Sequence, residues 1–251
     1  MVDIIEISKK VLARLSAMDY EKYGGSSKEQ LIFPQKVQAK GTKLKNRISE
    51  QELRLLFIEE FKKANKKLFY SIETPTIEKY KFGKTYTDIK VDKNGQSASL
   101  DMCVFERNSN KYERILNIEF KHKNASIKKI GKDVLKLMQE KQNGAFIHLL
   151  NNTDRGTLCN AKETGVFNKL YKSFNDFKGN WNNDKKYIHL IILSLEQKKN
   201  KLSKPVLIHR KITKADLSNL KEIFFTDKGC GNITEIKGKE WKVEFKINSN
   251  E

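Results

Sequence analysis

The residues with chemical potential gather around one acid and one short polar triplet. Asp101 lies in the run Ser97-Ala98-Ser99-Leu100-Asp101-Met102-Cys103-Val104-Phe105, and after seventeen intervening residues comes Glu119-Phe120-Lys121, at the centre of Tyr112 to His122. Both runs have the apolar content of strands, on which alternate residues face the same way. On the second run Leu116, Ile118 and Phe120 share the core face, leaving Asn117, Glu119 and Lys121 on the other. On the first, Leu100, Met102 and Val104 fall on one face and Ser99, Asp101 and Cys103 on the opposite one. If the polar loop at 107–111 joins them as an antiparallel hairpin, Asp101 and Glu119 become neighbours. Two such carboxylates repel unless a cation lies between them. The alternative is a cross-strand charge network on a solvated face.

The elements that must position these residues follow from periodicity. Ile4, Ile5, Val11, Leu12 and Leu15 predict an N-terminal helix within residues 1–23, broken by Gly24-Gly25-Ser26-Ser27. From Lys36 to Arg47 the chain is basic and is expected to be an exposed linker, with a phosphate-contacting arm as the sharper reading. Ser49 with Glu52 is a capping-box pair that starts a helix near Glu50. A β-type run, Leu68 to Thr74, is expected to stop at Pro75, and a second from Lys84 to Val91 to turn back at Asn94-Gly95 as a hairpin. Ile127, Ile130, Val134, Leu137 and Met138 form the stripe of a helix ending at Asn143-Gly144, followed by an apolar strand at Ala145–Leu150. Another helix around Val166 to Phe174 and a core strand at Tyr187–Leu195 come next. A short strand, a helix near Lys214 to Phe224, a Gly229-Cys230-Gly231 turn and a strand at Trp241–Ile247 complete the chain. The order predicts an α/β fold with a mixed sheet flanked by helices. It divides into an N-terminal helix and basic linker (1–48), a core domain (49–200) and a C-terminal α/β extension packed on that core (201–251).

Asp101 with the distant Glu119-Phe120-Lys121, set within helix, three strands, helix, strand, resembles the core of the PD-(D/E)xK nuclease superfamily, the restriction-endonuclease-like fold. The likeness covers about residues 49–150, and Leu100 stands where that family often has Pro. It implies a divalent-metal phosphodiesterase: Asp101, Glu119 and the Phe120 carbonyl as oxygen ligands for Mg²⁺, with Mn²⁺ as a substitute. Lys121 is then expected to orient or deprotonate a water and to stabilise charge in the transition state. Families of this type often add an acid from the first helix. Glu52 near the helix start is the favoured choice, Glu60 the second, and no helix acid the third; Glu73 is expected to be a surface acid. The implied activity is DNA cleavage in restriction or antiphage defence. An RNA-directed nuclease and a non-catalytic basic nucleic-acid-binding subunit of a larger complex stand as alternatives, with a homodimer or a partner protein compatible with each.

Composition bounds these readings. The chain has 251 residues, 50 Lys+Arg against 31 Asp+Glu, and a formal net charge of +19, which attracts polyanions. Of the basic residues 43 are Lys and seven Arg, a bias that AT-rich coding also produces. Cys103, Cys159 and Cys230 form no C-x-x-C pair and are expected to be reduced thiols. No apolar stretch approaches the ~20 residues of a membrane span, and the acidic start at Asp3 and Glu6 does not suit a signal peptide, so no membrane partner and a cytoplasmic location are expected. There is no P-loop, G-x-G-x-x-G or H-E-x-x-H. His122 and His148 are expected to be core or edge histidines. Lys128, Lys129, Lys132 and Lys136 are assigned to the water-facing side of their helix, with phosphate contact as the alternative.

Overall fold

In a computed structural model, which describes residues 2–21, 27–37, 44–158, 160, 162–198, 201–202, 204–225 and 241–244, the expected periodicities become an eight-stranded mixed sheet with helices on both faces. The elements in order are α1 (Ile4–Ala17), β1 (Gln35–Val37), β2 (Leu44–Asn46), α2 (Glu50–Ala64), β3 (Phe69–Phe82), β4 (Ile89–Val91), β5 (Gln96–Asn108), β6 (Lys111–His122), α3 (Ile127–Gln139) and β7 (Asn143–Leu150). They continue with α4 (Arg155–Leu158), α5 (Val166–Phe177), β8 (Tyr187–Ser194), β9 (Gln197–Lys198), β10 (Lys201–Leu202), β11 (Val206–Thr213), α6 (Leu220–Phe224) and β12 (Lys242–Glu244). The large sheet runs β12-β11-β8-β7-β6-β5-β3-β4. β6, β7 and β8 are parallel and every other pairing is antiparallel.

Each face of the sheet has its own core. On one, Ile4, Val11, Leu12 and Leu15 of α1 and Leu53, Leu56 and Phe57 of α2 bury against Ile118 and Phe120 of β6 and Ile147 of β7. On the other, Ile130, Val134, Leu137 and Met138 of α3 and Phe167, Leu170 and Phe174 of α5 pack with Phe146, Ile188 and Ile208. Each such aliphatic or aromatic side chain contributes roughly 1.5–3 kcal/mol on burial, so the two layers fix the helices over the sheet. α1 thus belongs to the same core as α2, and the 201–251 segment donates β11 to the sheet beside β8.

Five local expectations are corrected, the first being that α3 stops at Gln139 and Asn143-Gly144 open β7 instead of ending the helix. The segment expected as a linker at 36–47 contains an antiparallel ribbon, with Val37 opposite Leu44, because buried Phe33 and Ile48 draw its ends together; residues 38–43 lie outside the described residues. β3 does not stop at Pro75 but runs on to Phe82, with a register shift between Pro75 and Lys79 that accommodates a residue lacking an N–H. Asn94-Gly95 does turn the chain, yet β3 lies between β4 and β5, so no hairpin forms. Gly95 is needed there, since a Cβ would meet the Tyr80 carbonyl oxygen at 2.2 Å. On β5 the expected alternation fails at Asp101: Leu100 packs with Cys103 on the α3 side while Met102 and Val104 face α1 and α2. Opposite it, Glu73 has φ 47°, and the ladder passes from Ile72–Met102 to Thr74–Leu100 without a pair between. The Gly229–Gly231 turn, Cys159, Cys230 and residues 245–247 lie outside the described residues. Among the described residues no helix is long and apolar enough to cross a membrane.

The bulge in β3 frees two backbone donors, and Glu140, at the C-cap of α3, takes both. Ile77 N and Glu78 N each donate to its Oε1 at 3.1 Å, the Tyr80 hydroxyl donates at 3.2 Å, and Arg114 lies 3.4 Å from Oε2. Lys186 Nζ, pushed down to about 7 by burial, donates to the carbonyls of Leu137, Met138 and Glu140 and closes the last turn of α3. α3 is therefore tied at its end to β3. Glu140→Ala is expected to cost about 1–3 kcal/mol, because it leaves two amide donors and the Tyr80 hydroxyl without their acceptor; urea denaturation of variant and parent measures it.

Candidate active site

β5 and β6 form a fork. They pair from Asn108–Lys111 back to Met102–Ile118; beyond that β5 continues against β3 alone and the end of β6 against β7 alone. Asp101 and Glu119-Phe120-Lys121 sit where the strands part. Asp101 Oδ2 accepts the Phe120 N–H at 2.7 Å, a side chain closing the first rung that the backbone leaves open.

Helices from both faces reach into this fork. From α3, Lys136 Nζ lies 2.5 Å from Glu119 Oε1 and 2.9 Å from Asp133 Oδ1, and donates to the Ser99 carbonyl at 2.8 Å. Asp133 Oδ2 in turn meets Lys121 Nζ at 2.8 Å. Lys121 also donates to the Phe120 carbonyl at 2.7 Å, and lies 3.8 Å from Glu50 at the start of α2. Arg54, one turn further along α2, bridges Glu73 at 2.5 Å and Asp101 at 3.8 Å. The edge-on contact of Phe57 with Phe120, ring centroids 5.3 Å apart, holds α2 over the strand.

Burial makes the charges in this lattice expensive. Glu119, Asp133 and Lys136 are 1%, 5% and 6% exposed. Burial, together with Asp133 and Asp101, pushes the Glu119 carboxyl well above its ordinary range, against the pull of Lys136 and Lys121. Burial likewise raises Glu50, with Lys121 opposing. For Lys121 and Lys136 burial would lower the ammonium, but the surrounding carboxylates outweigh it and both are raised. Asp133 is lowered, since its two ammonium partners outweigh its burial. Four carboxyl groups (Glu50, Asp101, Glu119, Asp133) face three cations (Arg54, Lys121, Lys136) within a chain of net charge +19.

The structure thus brings Asp101, Glu119, Phe120 and Lys121 together and leaves Glu52 out. Glu52 accepts the Ser49 N–H at 2.8 Å and pairs with Arg47 at 3.1 Å, so the capping box consumes its carboxylate. The helix acid that faces Lys121 is Glu50, two residues earlier and therefore on another side of α2. Glu60 is buried but satisfied, by Arg14 at 3.0 Å and Lys63 at 2.7 Å. Glu73 is exposed and reaches the site only through Arg54. Lys136, assigned from sequence to the water-facing side, is buried, because the C-terminal half of α3 is enclosed all round. Lys128 instead donates to the Lys84 carbonyl at 2.9 Å, and Lys132 lies over the Phe82 ring at 4.7 Å. His148 is wholly buried beside Lys121 in the β6–β7 ladder, bonded to the Lys123 carbonyl and pushed down to about 4 by burial. Burial pushes His122 down to about 4 as well. The Cys103 thiol is buried and free, donates to Asn117, and is pushed up to about 11 by burial.

Among the described residues no three carboxylate, imidazole or thiol side chains converge as a ready-made metal cage. A hard divalent cation such as Mg²⁺ takes only one or two protein carboxylates and keeps waters. Asp101, Glu119 and the Phe120 carbonyl are hard oxygens of the kind it takes, engaged here by the Phe120 N–H, Lys136 and Lys121. Comparison of the chain with family models, curated proteins and solved structures finds no match in any of the three.

Because Glu119 binds its proton more tightly folded than unfolded, its contribution to stability is lost as pH rises above the ordinary carboxylate range. Glu119→Gln removes that loss. The melting temperature of the variant relative to the parent is expected to climb between pH 5 and pH 8, by about 2–4 °C for each kcal/mol of relief. Thermal melts across that range measure it.

Proposed function

We propose that this chain is a metal-dependent nuclease with a restriction-endonuclease-like core that hydrolyses phosphodiester bonds of DNA. The observation that carries the reading is the fork, where Asp101 and Glu119-Phe120-Lys121 meet a carboxylate from the first helix. The order α2, β3, β5, β6, α3, β7, with β7 parallel to β6, supports it as the arrangement that the sequence resemblance implies. The excess of cations elsewhere on the chain supports a polyanionic substrate. A setting in restriction or antiphage defence rests on the resemblance alone.

Asp101, Glu119 and the Phe120 carbonyl would hold the metal, with Glu50 near enough to bias a bound water. The metal, when bound, supplies neutralisation of the scissile phosphate and a more acidic water. Lys121 stays protonated in the field of Asp133, Glu50, Glu119 and Asp101, so it acts as a fixed positive donor toward developing phosphate charge and not as a base. Asp133 and Lys136 hold that ammonium and the Glu119 carboxylate in register. Arg54 restrains Asp101 from the other side.

One feature favours the non-catalytic binding reading: Lys136 already neutralises Glu119, as a purely structural ion pair would. The assay that separates them incubates supercoiled plasmid, linear duplex and single-stranded RNA with the protein in Mg²⁺ or EDTA. Metal-dependent cutting of DNA, reduced about 10²-fold or more by Asp101→Ala, Glu119→Ala or Lys121→Ala with binding retained, is the expected result. Glu50→Gln is expected to slow cutting, while Glu52→Gln keeps the rate and loses about 0.5–2 kcal/mol of stability through its cap. Salt-sensitive binding without cutting of any substrate sinks the nuclease reading.

A further inference from the structure

The open corner of the sheet beyond the end of α3 has a composition that folding does not require. Phe69, Phe105 and Arg114 are aligned across β3, β5 and β6, and Arg107 lies opposite Tyr112 in the next row. The Arg114–Glu140 pair marks this as the α3 face, and α3 ends at Gln139, so nothing among the described residues covers the rows beyond it. Phe69 is 40% and Tyr112 54% exposed, and their rings touch edge-on at 4.8 Å. Arg114 lies 5.8 Å from the Phe105 ring. Exposed Lys66 and Lys67 precede Phe69 in the chain, and exposed Arg107 shares the Tyr112 row. Lys111 and the nearby acids, Glu106 and Glu113, are one step out of phase and point to the opposite face.

We infer that this corner is a stacking platform for a single-stranded segment of DNA. Flat aromatic faces ringed by cations bind unpaired bases and their phosphates, whereas a duplex keeps its base faces inside. A second copy of the chain is disfavoured as occupant, because a two-fold contact would set Lys66, Lys67 and Arg107 against themselves. Phe105 is four residues from Asp101 along β5, about 13 Å at ~3.3 Å per residue, with the end of α3 lying over the face between them. The inference rests on the nuclease reading only for where the bound single strand leads.

The test measures fluorescence anisotropy of labelled dT20 and of a 20-base-pair duplex with the full chain in EDTA, where no cutting occurs. The Phe69→Ala/Tyr112→Ala variant is expected to bind dT20 about tenfold or more weakly and the duplex less than about twofold more weakly, with an unchanged melting temperature. Phe69→Trp/Tyr112→Phe is expected to restore dT20 affinity, and its added tryptophan emission to be quenched by dT20. Parental dT20 affinity in the double-alanine variant overturns the platform, as do equal losses on both probes. A parental dimer that the double-alanine variant converts to monomer, seen by sedimentation, also overturns it. Cutting of duplex in Mg²⁺ is scored separately: platform failure with cutting intact leaves the nuclease standing, and dT20 selectivity without cutting leaves the platform standing.

Discussion

A glutamate withdrawn from water must keep its proton or have a cation against it, and Lys136 brings that cation to Glu119 from the helix overhead. Much of the architecture serves to keep the two in place. Asp133, one turn earlier on α3, shares the same ammonium and passes the constraint on to Lys121. Glu140 and Lys186 pin the end of the helix, and the α3-side core holds its length. Were α3 to lift, four buried or half-buried charges would lose their partners together. The lattice is for that reason cooperative, and its members are expected to show strongly non-additive double-mutant energies.

The sheet prepares the same place from below. β6 is enclosed on both faces, so Ile118 and Phe120 face one core while Asn117 and Glu119 are buried against α3. Polar groups on such a strand have no water to fall back on. Their partners must come from the fold, and the fork is where β5 stops supplying them as backbone and starts supplying them as Asp101. The positive φ at Glu73 and the missing pair beside it are local strain of the kind that clusters at working sites.

The sequence carried the central part of this arrangement in its alternation: an acid and a Glu-x-Lys triplet on apolar runs joined by a short polar loop imply two adjacent strands with their polar residues close. It carried the order of the helices and core strands around them as well. Where it misled, a local signal had two possible owners. Glu52 looked like a site acid because it stands near the helix start, yet the capping box of Ser49 already claims its carboxylate and thereby leaves Glu50 to face the strand. Lys136 looked solvated because Lys128, Lys129 and Lys132 share its helix, and periodicity reports one apolar stripe without revealing that the second half of α3 is enclosed. Pro75 looked like a terminator because a bulge able to absorb it depends on Glu140, more than sixty residues away.

The clasp between the β3 bulge and Glu140 has one further consequence. An α-helix lying on a sheet is free to slide or to rotate in steps of one residue, ~1.5 Å of rise and ~100° of turn, wherever its apolar stripe is broad. Glu140 reads two adjacent amides, Ile77 and Glu78, and so indexes α3 against the sheet as a pawl indexes a ratchet. With the helix stopped at that notch, Asp133 and Lys136, two turns and one turn back, come to rest over Lys121 and Glu119. The phase of the charged site is thus set by an irregularity in a different strand, and a one-residue insertion in that bulge would mis-set the site without touching any residue in it.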